Sequence, residues 1–356
     1  MTQLTSDAAT GSGEGAKTPG GSRAGFSAWT ALLVVWLVWG STYLAIRVAD
    51  RSIPPFAMAA VRYLTAGAVL YPFAWLGSRR RQAALAEPAV PDGRGTPSRL
   101  APSRLAPSRQ VPSWLAQWGG MAVVGTLLLA FGNGGVSYAE KTLPSGLAAL
   151  LVASVPLWMA LADRVINGQR IPLRGWIALV LGLAGIAVLA RPSGNGAVLP
   201  VLVVLGASVS WGVGSVLAGR LPAPASPLVG SAMEMLTGGI VLTGLAAATG
   251  ELAHLDPAHA SAQSVLALLY LIGPGSLLAL TCYVIALRHL PTTAVSTYAY
   301  VNPVVAVSLG ALFLGERPTL ATLLGGAVVV LSVAMLLIHR TASPPQAQTK
   351  RESPEN

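Results

Sequence analysis

The chain has 356 residues, of which 53% are hydrophobic and only 10% charged, and it carries a net charge of +10. Soluble domains hold about 25% charged residues, so an ordinary water-soluble fold is excluded. The lone cysteine, Cys282, lies inside an apolar run, which excludes an intrachain disulfide and leaves no pair for dithiol chemistry.

Residues 1–28 are rich in Gly, Ser and Thr and read as a disordered tail on the cytoplasmic side. The run at 29–48 is long enough to span hydrocarbon, for which about 20 residues are needed. No small-residue cleavage site follows it, so it reads as a retained span and not as a signal peptide. Nine further spans follow at about 56–76, 117–138, 144–162, 175–190, 199–218, 228–248, 264–287, 291–314 and 319–338. They are too long and too uniformly apolar for barrel strands, so the predicted fold is an all-α integral membrane protein with ten transmembrane helices. Between the second and third spans, 78–113 carries a tandem Pro-Ser-Arg-Leu-Ala run from Pro97 to Arg109 and reads as a disordered basic insertion. Its arginines suit either attraction to anionic lipid or a plain topology signal. Residues 339–356 form a C-terminal tail.

The spans fall into two copies, 29–190 and 199–338. Leu143 to Arg170 lies over Leu290 to Arg317 without a gap at an offset of 147, which places Pro156 on Pro303. Earlier in each copy, Trp39–Gly40 and Arg62 lie over Trp211–Gly212 and Glu234 at an offset of 172. The difference, 172 minus 147, is 25 residues, and the insertion accounts for it. Five spans is an odd number, so the second copy enters the bilayer from the opposite side, as inverted repeats do in many secondary transporters.

Lysine and arginine bookkeeping sets the orientation. With the N-terminus inside, 17 bases fall in cytoplasmic segments, against 5 outside: Arg47, Arg51, Lys141, Arg191 and Arg317. Both termini are therefore expected in the cytoplasm. The preference for arginine over lysine, with abundant Ala, Gly and Pro, looks like a GC-rich bacterial genome, so the inner membrane of a bacterium is expected. The basic residues sit in these short loops, so the positive charge reads as topology, and no nucleic-acid partner is expected.

Arg62 and Glu234 are the charges well inside apolar spans, and at that depth a charge costs a few kcal/mol and normally faces a bundle interior or a wet cavity. Arg62 would attract a carboxylate, and Glu234 would bind an amine or a proton. The structural alternative is that each satisfies polar groups of a neighbouring helix. Pro156 and Pro303 are expected to break their helices, since an interior proline frees a carbonyl four residues earlier. Tyr298 and Asn302 give the ninth span a polar face, and Asn133 in Gly132–Asn133–Gly134 is a weaker cavity candidate. Gly206, Ser210 and Gly214 have the small-residue spacing of close helix packing. No embedded nucleophile has a histidine within reach, so catalysis is not expected. His254, Asp256 and His259 on one outer loop read as a solvated trio, and no metal or cofactor is expected.

Trp39–Gly40–Ser41–Thr42–Tyr43, Ala60–Val61–Arg62–Tyr63 and the stretch from Pro303 to Leu314–Gly315–Glu316–Arg317 resemble the EamA family of the drug/metabolite transporter superfamily. The resemblance covers about 29–338 and departs at Gln169, where the second copy has Glu316. It implies a two-repeat transporter with a central cavity, exporting amino acids, metabolites or drugs. The expected cavity residues are Trp39, Tyr43, Arg62, Asn133, Trp211, Glu234, Tyr298 and Asn302, with Glu234 coupling transport to protons. The partners expected are a small-molecule substrate and the lipid bilayer. A monomer is expected, with a homodimer as the alternative. Direction depends on gradients, so a metabolite importer or facilitator is the rival within transport, and a membrane-embedded sensor or enzyme the rival outside it.

Overall fold

A computed structural model describes residues 21–86, 113–189, 198–256 and 258–341, and every regular element among them is helical. The proline-arginine run and the far ends of both tails lie outside the described residues. In chain order the helices are α1 (Gly21–Ala49), α2 (Pro55–Ala86), α3 (Trp114–Gly125), α4 (Gly134–Glu140), α5 (Ser145–Val152), α6 (Val155–Asn167) and α7 (Leu173–Leu189). Then come α8 (Val198–Ala218), α9 (Pro227–Ala248), α10 (Ala262–Ile272), α11 (Ala279–His289), α12 (Thr292–Val295), α13 (Tyr298–Leu314) and α14 (Leu320–Thr341). Joined end to end where they abut, these give 8 stretches long and apolar enough to cross a membrane, with α7 and α13 as shorter apolar helices.

Two of the sequence boundaries shift. The first helix begins at Gly21, inside the stretch read as tail, and α2 continues to Ala86, inside the stretch read as insertion. The segment from Arg79 to Ala86 is made of Arg, Gln, Ala and Leu, all strong helix formers, so the helix propagates past the apolar run. It ends before Glu87–Pro88, where a proline disfavours helical backbone in the preceding residue.

Two spans contain a π-helical turn, Thr126–Asn133 between α3 and α4 and Gly273–Leu278 between α10 and α11. Their first residues are 147 apart, the offset of the sequence repeat. The C-cap glycines of α6 and α13, Gly168 and Gly315, obey the same offset and share a left-handed conformation, φ 67° and 66°. Left-handed backbone strains any residue with a Cβ, which is why the repeat keeps glycine there.

Packing repeats as well. A Cβ on Gly40 would lie 2.6 Å from the Cβ of Val305, and one on Gly212 would lie 2.9 Å from the Cβ of Trp158. Gly212 is Gly40 plus 172, and Val305 is Trp158 plus 147, so α1 meets α13 as α8 meets α6. Likewise Gly67 fits against Leu236 and Gly239 against Leu64, which brings α2 onto α9, while Gly185 and Gly325 bring α7 onto α14. Small residues let these backbones approach closely, and the large apolar side chains are displaced outward: Phe73, Leu312 and Phe313 are each more than 70% exposed.

The helix breaks sit elsewhere than expected in one copy. In the fourth span the break falls at Ala153–Ser154, and Pro156 follows in the first turn of α6, where its missing N–H costs nothing. Pro303, by contrast, lies inside continuous α13, and the break is upstream at Ser296–Thr297. Thr297 explains the displacement: its Oγ1 donates to Ala294 O at 2.5 Å and accepts from Trp36 Nε1 at 3.1 Å. A side chain that completes the turn and ties it to α1 stabilises an interruption there.

Candidate functional site

A cavity of about 380 Å³ opens between α1, α2, α4, α5, α6, α8, α9, α11 and α13. Trp39, Tyr43, Arg62, Asn133, Trp211, Glu234, Tyr298 and Asn302 all stand on its wall, as do Pro156 and Pro303. The reason lies in the repeats: glycines at the helix crossings draw α1 to α13 and α8 to α6, so the tryptophans preceding Gly40 and Gly212 flank one space.

Arg62 is 6% exposed and rests its guanidinium 4.8 Å over the ring of Tyr63. Its Nε donates to Ser276 Oγ at 3.0 Å, and Ser276 in turn donates to Leu271 O at 2.9 Å across the π-helical turn. Ser276 therefore holds the guanidinium in place through Nε, and among the described residues no bond to either terminal nitrogen is seen. Glu234 sits half-buried on the same wall, and among the described residues its carboxylate has no hydrogen bond or ion pair. Arg62 and Glu234 do not bridge one another. An unpaired cation and an unpaired carboxyl thus share one low-dielectric chamber, where a ligand bearing the opposite charges would be bound far more strongly than in water.

An aromatic cluster walls one side. The Trp39 ring lies 5.2 Å from those of Tyr283 and Tyr298, which are 5.8 Å from each other, edge to face. Asn302 turns its amide to donate to Tyr298 O and Trp36 O, both at 3.2 Å, so its nitrogen joins α1 to α13. A smaller cavity of about 160 Å³ shares Pro156, Met159, Tyr283 and Tyr298 with the main one. It reaches Leu287, Val295, Leu336 and Leu337, toward the end of the molecule that carries Arg288 and Arg340.

Sequence reasoning missed Tyr283 and Ser276. The signal was present in Gly273–Pro274–Gly275, a break-forming run inside a long apolar span, and Ser276 and Tyr283 both lie just beyond it. His259 and Asp256, from the loop trio, pair at 2.6 Å through Nδ1 and Oδ2, exposed and far in sequence from every cavity residue.

Comparison with known proteins agrees with this geometry. Residues 27–89, 103–191 and 198–338 match the EamA-like transporter family. The chain belongs to that family. The Escherichia coli (strain K12) protein called inner membrane transporter YedA is 35% identical over 320 residues, covering 88% of this chain and 92% of YedA. A Salmonella typhimurium protein called a probable amino-acid metabolite efflux pump is 25% identical, with 85% of this chain and 91% of the pump covered. A crystal structure 20% identical in sequence superimposes with a TM-score of 0.52 over 90% of this chain and 99% of the other, which shows a shared fold. EamA-like proteins are membrane transporters, and the cavity of this member is the place where a transported solute can sit.

Proposed function

We propose that this EamA-like protein is a secondary transporter of the bacterial inner membrane that exports small organic solutes carrying both a carboxylate and an amine. All ten helices cross the bilayer as two inverted halves, both termini are cytoplasmic, and the cavity opens alternately to either side. One observation carries the reading: Arg62 and Glu234, at matching positions of the two copies, face the same chamber, Arg62 held by Ser276 and not by a carboxylate. Arg62 receives the carboxylate and Glu234 the amine, while Trp39, Tyr283 and Tyr298 take the apolar part of the solute. The efflux-pump name of the Salmonella relative supports the solute class, and the name of YedA supports the location. When no solute is bound, Glu234 holds a proton, because a bare carboxylate in so dry a place is costly. Exchange of that proton for the solute's ammonium couples the two fluxes.

The reciprocal contacts of Gly40 with Val305 and Gly212 with Trp158 support inverted threading, because the exchange of halves is what an in-plane two-fold axis produces. The cavity that continues toward Leu287 and Leu337 supports access from the cytoplasmic end.

The experiment is counterflow in proteoliposomes, following a thermal-shift screen of amino acids, sugars, nucleosides and cationic drugs. Uptake by Glu234→Gln should lose its dependence on pH and on an imposed proton gradient. A variant with the rate and pH profile of the native protein would reject the coupling. Binding of sugars or nucleosides in preference to zwitterions would reject the solute class.

A further inference from the structure

Outside the cavity, buried carboxyl groups gather at the end of the molecule where Arg47, Asp50, Glu140, Lys141, Glu251 and Glu316 converge. Two of the four acids there accept backbone hydrogen bonds. Glu251 Oε2 accepts from Ala57 N at 3.0 Å, and Glu316 accepts from Ser145 N, Ser145 Oγ and Gly146 N at 2.8, 3.1 and 3.2 Å. The other two do not. Glu140 is 0% exposed and neither of its carboxyl oxygens has a hydrogen-bond partner. Both carboxyl oxygens of Asp50 are likewise buried and unpartnered.

A cation is close by and does not act as their counter-ion. The Arg47 guanidinium donates to the backbone carbonyl of Glu140, tying the end of α1 to the end of α4. The His259–Asp256 ion pair lies apart from this end, on the exposed loop. A carboxylate buried without donors costs several kcal/mol, and the Arg47 bond sets the end of α1, which leads into Asp50, against Glu140, where two bare carboxylates would repel. A proton on the carboxyl removes both penalties.

We propose that Asp50 and Glu140 form a second proton-binding site, separate from Glu234, which keeps its proton while the ends of α1 and α4 are packed and releases it when they part. Its link to transport is short. Tyr43, one turn before Arg47 on α1, and Val136, one turn before Glu140 on α4, both lie on the cavity wall. Opening the chamber toward this end moves α1 against α4 and lets water reach Glu140. The O–H bond then breaks, the proton passes to water, and the carboxylate left behind pairs with Arg47 or Lys141; nothing is oxidised or reduced. The charged and titratable groups that face the pair are Tyr43, Arg47, Lys141, Glu251 and Glu316. Alternating access, as proposed above, supplies the opening; the presence of the proton in the packed state does not depend on it.

Infrared spectroscopy of the purified protein in lipid nanodiscs tests the site without transport. The Glu234→Gln protein at neutral pH should still show a protonated-carboxyl C=O band that shifts on deuteration. Adding Glu140→Gln should remove most of that band, and adding Asp50→Asn should remove the remainder or move its titration. Absence of the band from the Glu234→Gln protein overturns the proposal, and that result needs no change at Glu140. A band that survives both further substitutions also overturns it. Transport that lacks proton coupling would reject the role given to Glu234 and leave this band in place, so the two readings fail separately.

Discussion

The central chamber and the charged end of α1 and α4 both hold buried acid and base, yet they use them differently. In the chamber, Ser276 takes the Nε of Arg62, and Arg62 and Glu234 both border open space. At the charged end, Arg47 is spent on a carbonyl, Glu251 and Glu316 cap helix starts, and these groups do not line the chamber. The chamber is also built from matching residues of both copies, Arg62 with Glu234 and Trp39 with Trp211. The charged end is not: Arg47 plus 172 is Gly219, and Glu140 plus 147 is Leu287. Symmetry builds the container, and the departures from symmetry distinguish one end of the molecule from the other.

Exchanging each arginine for alanine sharpens that contrast most. Arg62→Ala should weaken binding of a carboxylate-bearing solute by about 10- to 100-fold, since a hydrogen bond to a charged group contributes about 1.5–3 kcal/mol. Arg47→Ala should leave that affinity unchanged, because Arg47 does not face the cavity. Isothermal titration of both variants checks this, and equal losses would erase the distinction between the regions.

The next effect is a pH slope that belongs to the charged end. Burial, with Glu251 adding and Lys141 and Arg47 opposing, pushes the Asp50 carboxyl up from 3.8 to about 8. The folded protein therefore binds this proton more tightly than the unfolded chain. Its stabilising contribution is complete below the unfolded value, falls as pH rises through that interval, and is gone above about 8. Asp50→Asn cannot ionise, so its melting temperature should decline less than that of the native protein over the same range. Parallel melting curves would place Asp50 in water.

A smaller loss should follow from filling a helix crossing at the chamber. A Cβ at Gly212 would lie 2.9 Å from Met159 N and from Trp158 Cβ, so Gly212→Ala should cost about 1–3 kcal/mol through overpacking. Gly77 has nothing within 4 Å of such a Cβ, and Gly77→Ala serves as the control. Thermal melting in detergent separates them.

Much of this was legible in the chain. Span length and uniform apolarity gave an all-helical membrane protein, and the offsets, the polar residues inside spans and the family resemblance together named eight residues that line one cavity. Three things were not legible, for physical reasons. The break near Pro303 was misplaced because proline only weakens a helix locally, whereas the bond from Trp36 to Thr297 is a contact across 261 residues that no local pattern reveals. Ser276 was missed because its value lies in what it does to Arg62, 214 residues away. Asp50 and Glu140 were passed over because acids at span ends are ordinarily solvated, and only the packing of α1 against α4 takes their oxygens out of water.

The smallest predicted effect concerns Glu316, which stands at the same end as Glu140 but is fully bonded. Its two oxygens accept from the first residues of α5, where N–H groups have no partner within the helix, so the carboxylate acts as an N-cap supplied from another part of the chain. The turn after α13 that delivers it is made by left-handed Gly315, and a Cβ on Gly310 would lie within 3 Å of the Glu316 carboxylate. Glu316→Gln keeps one acceptor and loses the charge that favours a helix start, which should lower stability by about 1 kcal/mol. Solute affinity should be unaffected, because Glu316 is not on the cavity wall. Melting and titration of one preparation read both quantities. A fall in affinity without a fall in stability would mean that this turn reaches the chamber, and the boundary between the two regions would have to move.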